Sequence, residues 1–144
     1  MQIGEISKIT GLSISTLRYY DKHGLLPDIN RTDGGIRIFS KDDLDSIRMI
    51  ECLKNSGMKI SEIKHFMDLC RIGDTTIRER RDIFFDQEVN INNQITLLEN
   101  SLKLIKFKQW YYSKALEDGT VNKVKNMSVE DMPLDIQKLY KETH

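Results

Sequence analysis

From Thr75 to Asp118 the chain contains neither glycine nor proline, and its residues keep a rhythm of alternating steps of four and three. Ile77, Arg81, Phe84, Glu88, Ile91, Ile95, Leu98, Leu102, Ile105, Gln109, Tyr112 and Leu116 follow it, with an unbroken apolar run over Ile91, Ile95, Leu98, Leu102 and Ile105. Such spacing holds one stripe of side chains on one helix face and predicts a coiled-coil seam. At 1.5 Å per residue the stretch makes roughly 65 Å of helix. Nothing else in a chain of 144 residues can cover so long a stripe, so the seam requires a second copy. Gly119 ends the helix. A polar tail, 119–144, follows, with a short last helix expected around Leu134 to Tyr140.

The first seventy residues read differently. Ile3, Ile6 and Ile9 recur at helical spacing, and Thr10-Gly11-Leu12 breaks that helix. Ser13 is a cap for a second helix from Ile14 to about His23, where Gly24 supplies a left-handed residue and Pro27 forbids continuation. Helix, glycine-containing turn, helix is the helix-turn-helix pattern. From Ile29 to Phe39 the sequence reads as a small β-wing. Asp33-Gly34 predicts a two-residue type I′ turn, with Ile36 and Ile38 on one face and Arg37 and Phe39 on the other. Ser40 and Asp43 form a capping box for a third helix carrying Leu44, Ile47, Ile50 and Leu53. Gly57 ends it, and a fourth helix holds Ile60, Ile63, Phe66, Met67 and Cys70. The boundaries are then a head over 1–70, a hinge over 71–74 and the long helix over 75–118, with Thr76 and Glu79 as its capping box.

On the second helix Ser15, Arg18, Tyr19 and Lys22 share one face, while Ile14, Leu17 and part of Tyr20 turn toward the core. Hydroxyl, guanidinium, phenol and ammonium groups are the donors that meet phosphates and base edges when a helix enters the major groove. Taken alone, the same face also fits an ordinary solvated amphipathic helix. The hairpin with Arg31 and Arg37 favours nucleic acid. Composition does not help, because 22 Lys and Arg balance 22 Asp and Glu, so any DNA site must be local. No apolar run approaches the ~18 residues of a membrane span, and the start lacks signal-peptide character. A cytoplasmic protein is expected, with Cys52 and Cys70 as reduced thiols. His23, His65 and His144 show no ligand spacing, and two cysteines are too few for a cluster. Neither a metal nor a cofactor is expected. No nucleophile–base grouping or phosphate loop suggests an enzyme.

The ordered set Ile3-Gly4-Glu5, Thr10-Gly11-Leu12-Ser13, Thr16-Leu17-Arg18-Tyr19-Tyr20-Asp21, Gly24-Leu25-Leu26-Pro27, Arg31, Gly35-Ile36-Arg37-Ile38-Phe39 and Ser40-Lys41-Asp42-Asp43-Leu44 resembles the DNA-binding head of the MerR family. The resemblance implies a mainly α protein: a winged helix-turn-helix head and a long helix pairing antiparallel in a homodimer. It implies DNA contacts by Arg18, Tyr19 and Tyr20, with Ser15, Thr16 and Lys22 beside them. Arg37 would act from the wing, Arg31 at its flank and Lys59 in a second wing between the third and fourth helices. Two positions depart from the family pattern. Phe39 replaces a common tyrosine, and Lys59 replaces a common cap-competent serine. The implied partners are an inverted repeat in double-stranded promoter DNA and, through the promoter's shape, RNA polymerase.

Family members respond to varied effectors. Those that sense metals use cysteines at or beyond the start of the long helix, where this chain has none. Cys52 on the third helix is similar to the aldehyde- and electrophile-responsive branch of the AdhR and NmlR type, with Lys54 or Arg48 near enough to favour the thiolate. A packed, inert thiol is the alternative. A small apolar ligand near Trp110, Tyr111 and Tyr112 is another, and an excisionase-like architectural DNA binder without an inducer is the rival function.

Overall fold

The computed structural model describes residues 1–27 and 30–144; Asp28 and Ile29, with the expected start of the wing, lie outside the described residues. The chain is mainly α. Four helices and a hairpin come first: α1 (Ile3–Thr10), α2 (Ile14–Lys22), β1 (Asn30–Arg31), β2 (Arg37–Ile38), α3 (Lys41–Asn55) and α4 (Ile60–Ile72). A 3₁₀ turn (Asp74–Thr76) leads into α5 (Ile77–Asp118), followed by α6 (Asn122–Lys125) and α7 (Leu134–Thr143). Contacts gather these into two compact units, Met1–Ile91 and Asn92–His144. The head unit therefore takes in the first turns of α5, beyond the boundary expected near residue 70.

Capping explains where the head's helices start. Ser13 accepts a bond from the Thr16 N–H, and Ser40 and Asp43 form the reciprocal box expected before α3. After α2 the chain turns through Gly24, whose φ of 71° suits glycine. The Leu25 N–H bonds the Tyr20 carbonyl and the Gly24 N–H bonds that of Asp21. This is a Schellman closure, and it delivers Leu25 and Leu26 into the core. Ile6, Leu17, Tyr20, Phe39, Ile47, Ile50 and Ile63 complete its centre, with Ile83 of α5 packed against it. Ile14 departs from expectation: it sits in the first turn of α2 with 38% of its surface exposed.

The wing pairs antiparallel, Asn30 with Ile38 and Arg31 with Arg37. Its loop is not the type I′ turn expected from Asp33-Gly34. That turn needs positive φ at both residues, whereas the positive value falls on Gly35, at 80°. The Gly35 N–H bonds Thr32 O at 2.8 Å and the Thr32 N–H bonds Ile36 O at 2.9 Å. A three-residue loop with a left-handed glycine results, and Ile36 is left exposed. Phe39 is buried, and its backbone exchanges bonds with Met1.

The expected hinge at 71–74 is rigidly bonded on its first side. Arg71 belongs to α4, and its guanidinium donates to Gly24 O at 2.8 Å, to Leu26 O and to Asp68. A hydrogen bond from Lys64, before other contributions, holds the Asp68 carboxyl below its usual range. The Thr76–Glu79 box expected for the long helix does not form. Thr76 instead donates its hydroxyl to Leu69 O and Gly73 O, adding a second donor to carbonyls that already accept the Gly73 and Thr76 N–H groups, while Glu79 meets His65. Gln87 reaches back to Ser56, and Phe84 packs edge-on against Phe66.

In the second unit, Phe107, Met132 and Ile136 are buried, with Trp110, Tyr111, Met127 and Tyr140 against them. The tail thus folds onto α5 of its own chain. In contrast, Ile95, Leu98, Leu102 and Ile105 are exposed, Leu98 at 70%. Arg71→Ala leaves the Gly24 and Leu26 carbonyls without their donor. At about 1–2 kcal/mol for such a loss, thermal unfolding followed by circular dichroism is expected to fall by several degrees.

Candidate nucleic-acid interface

The arrangement of α2 follows from what its inner side buries. Leu17 is fully enclosed and Tyr20, three residues on, is 1% exposed. The Tyr20 hydroxyl donates to the Glu51 carboxylate of α3, and Lys54 donates to the same hydroxyl at 3.3 Å. Burial, then the Glu51 bond, pushes this phenol well above its ordinary pKa. It stays protonated and stays donated. Tyr20 was expected to touch DNA together with Arg18 and Tyr19, but its helical phase matches Leu17, and the structure places it in the core as an anchor.

With Leu17 and Tyr20 fixed inward, the residues between them are forced outward. Arg18, Ser15 and Lys22 are exposed, and Tyr19 is 44% exposed. Among the described residues the Arg18 and Lys22 side chains carry no hydrogen bond or ion pair. Tyr19 lies against the His23 ring at 4.1 Å between centroids. Ser15 and half-buried Thr16 are drawn into a hydroxyl cluster about Ser13, at 3.0 and 2.8 Å. Those two hydroxyls are shared with the helix cap rather than wholly free.

Asp21 makes the connection that sequence reasoning missed. Its Oδ2 meets the Arg37 guanidinium and lies 3.3 Å from that of Arg31. One carboxylate at the end of α2 thus holds both wing arginines, which sit opposite each other in the hairpin register. Arg31 also donates to Gly35 O at 3.2 Å. The available signal was an acidic residue directly after the Arg-Tyr-Tyr run, in a face otherwise built of donors. Lys59 stands at the N-cap position of α4, exposed and making no cap bond.

Cys52 is exposed on α3, whereas Cys70 is half-buried and packed against the core. The cations expected beside Cys52 are otherwise engaged. Lys54 reaches Tyr20, and Arg48 pairs with Asp45 at 3.3 Å.

Two short helices set by a glycine turn, a hairpin tied to the second of them and an outward basic-aromatic face define a winged helix-turn-helix DNA-binding protein. The chain belongs to the MerR family: the family described as MerR HTH family regulatory protein matches residues 1–70. An HTH-type transcriptional regulator of Haemophilus influenzae is 43% identical over 114 residues, which is 79% of this chain and 84% of that one. The HTH-type transcriptional regulator AdhR of Bacillus subtilis is 37% identical over 60% of this chain and 62% of its own. Among solved structures, HiNmlR, a MerR family regulator lacking the sensor domain and bound to promoter DNA, superposes with a TM-score of 0.76. It is 40% identical, over 84% of this chain and 96% of that one. The chain is therefore a transcriptional regulator. Among the described residues no helix is long and apolar enough to cross a membrane.

Asp21→Asn releases Arg31 and Arg37 from their shared anchor while adding net positive charge. Affinity for an unrelated duplex is expected to rise and the preference for the cognate duplex to fall several-fold. Fluorescence anisotropy against both duplexes checks this, and an unchanged preference would show that the tether does not align the wing.

Proposed function

We propose that the chain binds an inverted repeat in promoter DNA as a homodimer and changes the shape of that promoter in response to a thiol-reactive electrophile. The observation that carries the DNA reading is the outward face of Arg18, Tyr19 and Lys22 set beside the Asp21-held arginines of the wing. HiNmlR, similar over most of this chain, is a promoter-DNA binder by its description. In this reading α2 enters the major groove, Arg18 addresses a base edge or phosphate, and Tyr19 and Lys22 hold phosphates. Ser15 and Thr16 contact DNA through whatever capacity their cap cluster leaves. Arg37 and Arg31 follow the groove from the wing, and Lys59 meets the backbone at the start of α4. Tyr20 takes no part in contact; it positions the two residues before it.

Pairing of α5 through Ile91, Ile95, Leu98, Leu102 and Ile105 carries two heads to two half-sites, and two-fold symmetry makes those half-sites an inverted repeat. Regulation then works through DNA deformation. The dimer bends or untwists the DNA between promoter elements, and RNA polymerase responds to the altered spacing. An effector shifts the balance only by favouring one dimer shape over the other. Cys52 is our choice for that sensing group because its thiol is exposed on a helix of the head and accessible to a small electrophile. The thiol gives up its proton to solvent and the thiolate adds to an aldehyde's carbonyl carbon; the carbon–sulfur bond forms as the carbon–oxygen π bond breaks, and the oxygen takes a proton from solvent to leave a hemithioacetal.

Arg18→Ala is expected to raise the Kd for a cognate site, recovered by selection from random duplexes, about tenfold or more at physiological salt, in line with ~1–3 kcal/mol for a lost base contact. Unchanged affinity in anisotropy titrations would remove α2 from the groove. Cys52→Ser is expected to abolish induction of a promoter reporter by aldehydes while gel-shift affinity stays at the wild-type level. Normal induction would take the sensing role away from this thiol.

A further inference from the structure

We propose that the cavity between the last turns of α5 and the 3₁₀ turn Val129–Asp131 binds a small organic cation, an ammonium group carried on an apolar body. The site lies wholly in the carboxy-terminal unit, and its occupant is of a different class from the electrophile assigned to Cys52.

The cavity holds about 360 Å³, at the lower end of the roughly 300–1,000 Å³ common for small-molecule sites. Trp110, Met127 and Pro133 give it apolar walls, and Lys114, Glu117 and Asp131 bring charge to it. Trp110 is half-buried and packs against buried Phe107. Indole is the aromatic group that attracts a nearby cation most strongly.

The polar side is short of positive charge. Among the described residues lining the cavity Lys114 is the sole cation, and it is divided between two carboxylates. Its Nζ stands 3.4 Å from Glu117 Oε2 and 3.9 Å from Asp118 Oδ1, both longer than the roughly 2.7–2.9 Å of a close ammonium–carboxylate bond. Asp118 Oδ2 is cut off from solvent and accepts no hydrogen bond among the described residues. A buried carboxylate oxygen in that state is destabilising until a donor or counter-charge reaches it. Asp131 is exposed and accepts from the Ser128 hydroxyl at 2.8 Å.

An ammonium seated beside Trp110 pairs with Glu117 and Asp131 and releases Lys114 to close on Asp118. The guest thus brings the charge that the lining lacks, and Lys114 becomes the donor for the orphaned oxygen. A neutral guest of the same shape gains apolar burial alone. An anion meets two carboxylates and one cation already engaged. Glu117 is 72% exposed, so water screens part of its attraction, and the preference for positive charge is a few-fold one.

The test titrates the full-length chain with cyclohexylmethylammonium, cyclohexylmethanol and cyclohexanecarboxylate, which share one ring and differ in charge. Proton–nitrogen correlation NMR follows the single indole N–H of the chain, which lies at the cavity wall. The ammonium is expected to saturate the indole shift with a Kd in the low millimolar range, as suits a fragment of about eight non-hydrogen atoms. Its Kd is expected to be lower than that of the alcohol by roughly threefold or more, with the carboxylate weakest. Combining Glu117→Gln with Asp131→Asn is expected to raise the ammonium's Kd to that of the alcohol and to leave the alcohol's unchanged. A variant that weakens both alike, and so keeps the ammonium's advantage, overturns the proposal. Equal Kd values in the wild type, or an indole shift that never saturates, overturn it as well.

Discussion

The hydrogen bond from Tyr20 to Glu51 is the interaction on which the proposed DNA-facing surface rests. A phenol with almost no solvent contact must donate its proton somewhere, since an unsatisfied buried hydroxyl costs about 1–3 kcal/mol. Glu51 accepts it, and Lys54 donates to the same hydroxyl oxygen from 3.3 Å away. This fixes the rotation of α2 about its own axis against α3. Once that rotation is fixed, Arg18 and Tyr19 have only one direction left. The outward face of the helix is a consequence of the inward one.

Asp21 extends the same constraint to the hairpin. It lies one residue beyond Tyr20, so the helix phase that buries the tyrosine also aims the carboxylate at Arg31 and Arg37. Arg71 anchors the following turn from α4 through backbone carbonyls. Helix, turn and wing are therefore held by directional bonds around a common apolar core rather than by the core alone. The apolar side of α5 has a different character. Leu98 and its neighbours are solvated within one chain, and it is this stripe that the proposed pairing of α5 would cover.

Much of this was legible in sequence because it depends on short-range chemistry. Ser13, Ser40 with Asp43, and Gly24 mark helix ends by side-chain and backbone geometry that acts over three or four residues, and each stands where expected. What escaped depends on distance in the chain. Tyr20 looked like a contact residue because its place in an Arg-Tyr-Tyr run is local, whereas its partner Glu51 lies on another helix. The Thr76 hydroxyl is recruited backward to α4, although Thr76-x-x-Glu79 fits a forward capping box. The Asp33-Gly34 signal was overridden because Gly35 takes the left-handed position one residue later. Competing local options of similar energy are settled by packing, and packing is what a linear reading lacks.

The tail contributes a practical asymmetry. The chain has one tryptophan, Trp110, and it lies half-buried beside Phe107, their ring centroids 6.0 Å apart, in the lobe formed with Met132, Ile136 and Tyr140. Indole emission, which reddens with hydration, therefore reports on that lobe. The five tyrosines are divided between the units, two in the head and three in the lobe. Intrinsic fluorescence excited at the red edge thus gives an unlabelled optical handle on the carboxy-terminal lobe, spectrally separable from events at the head.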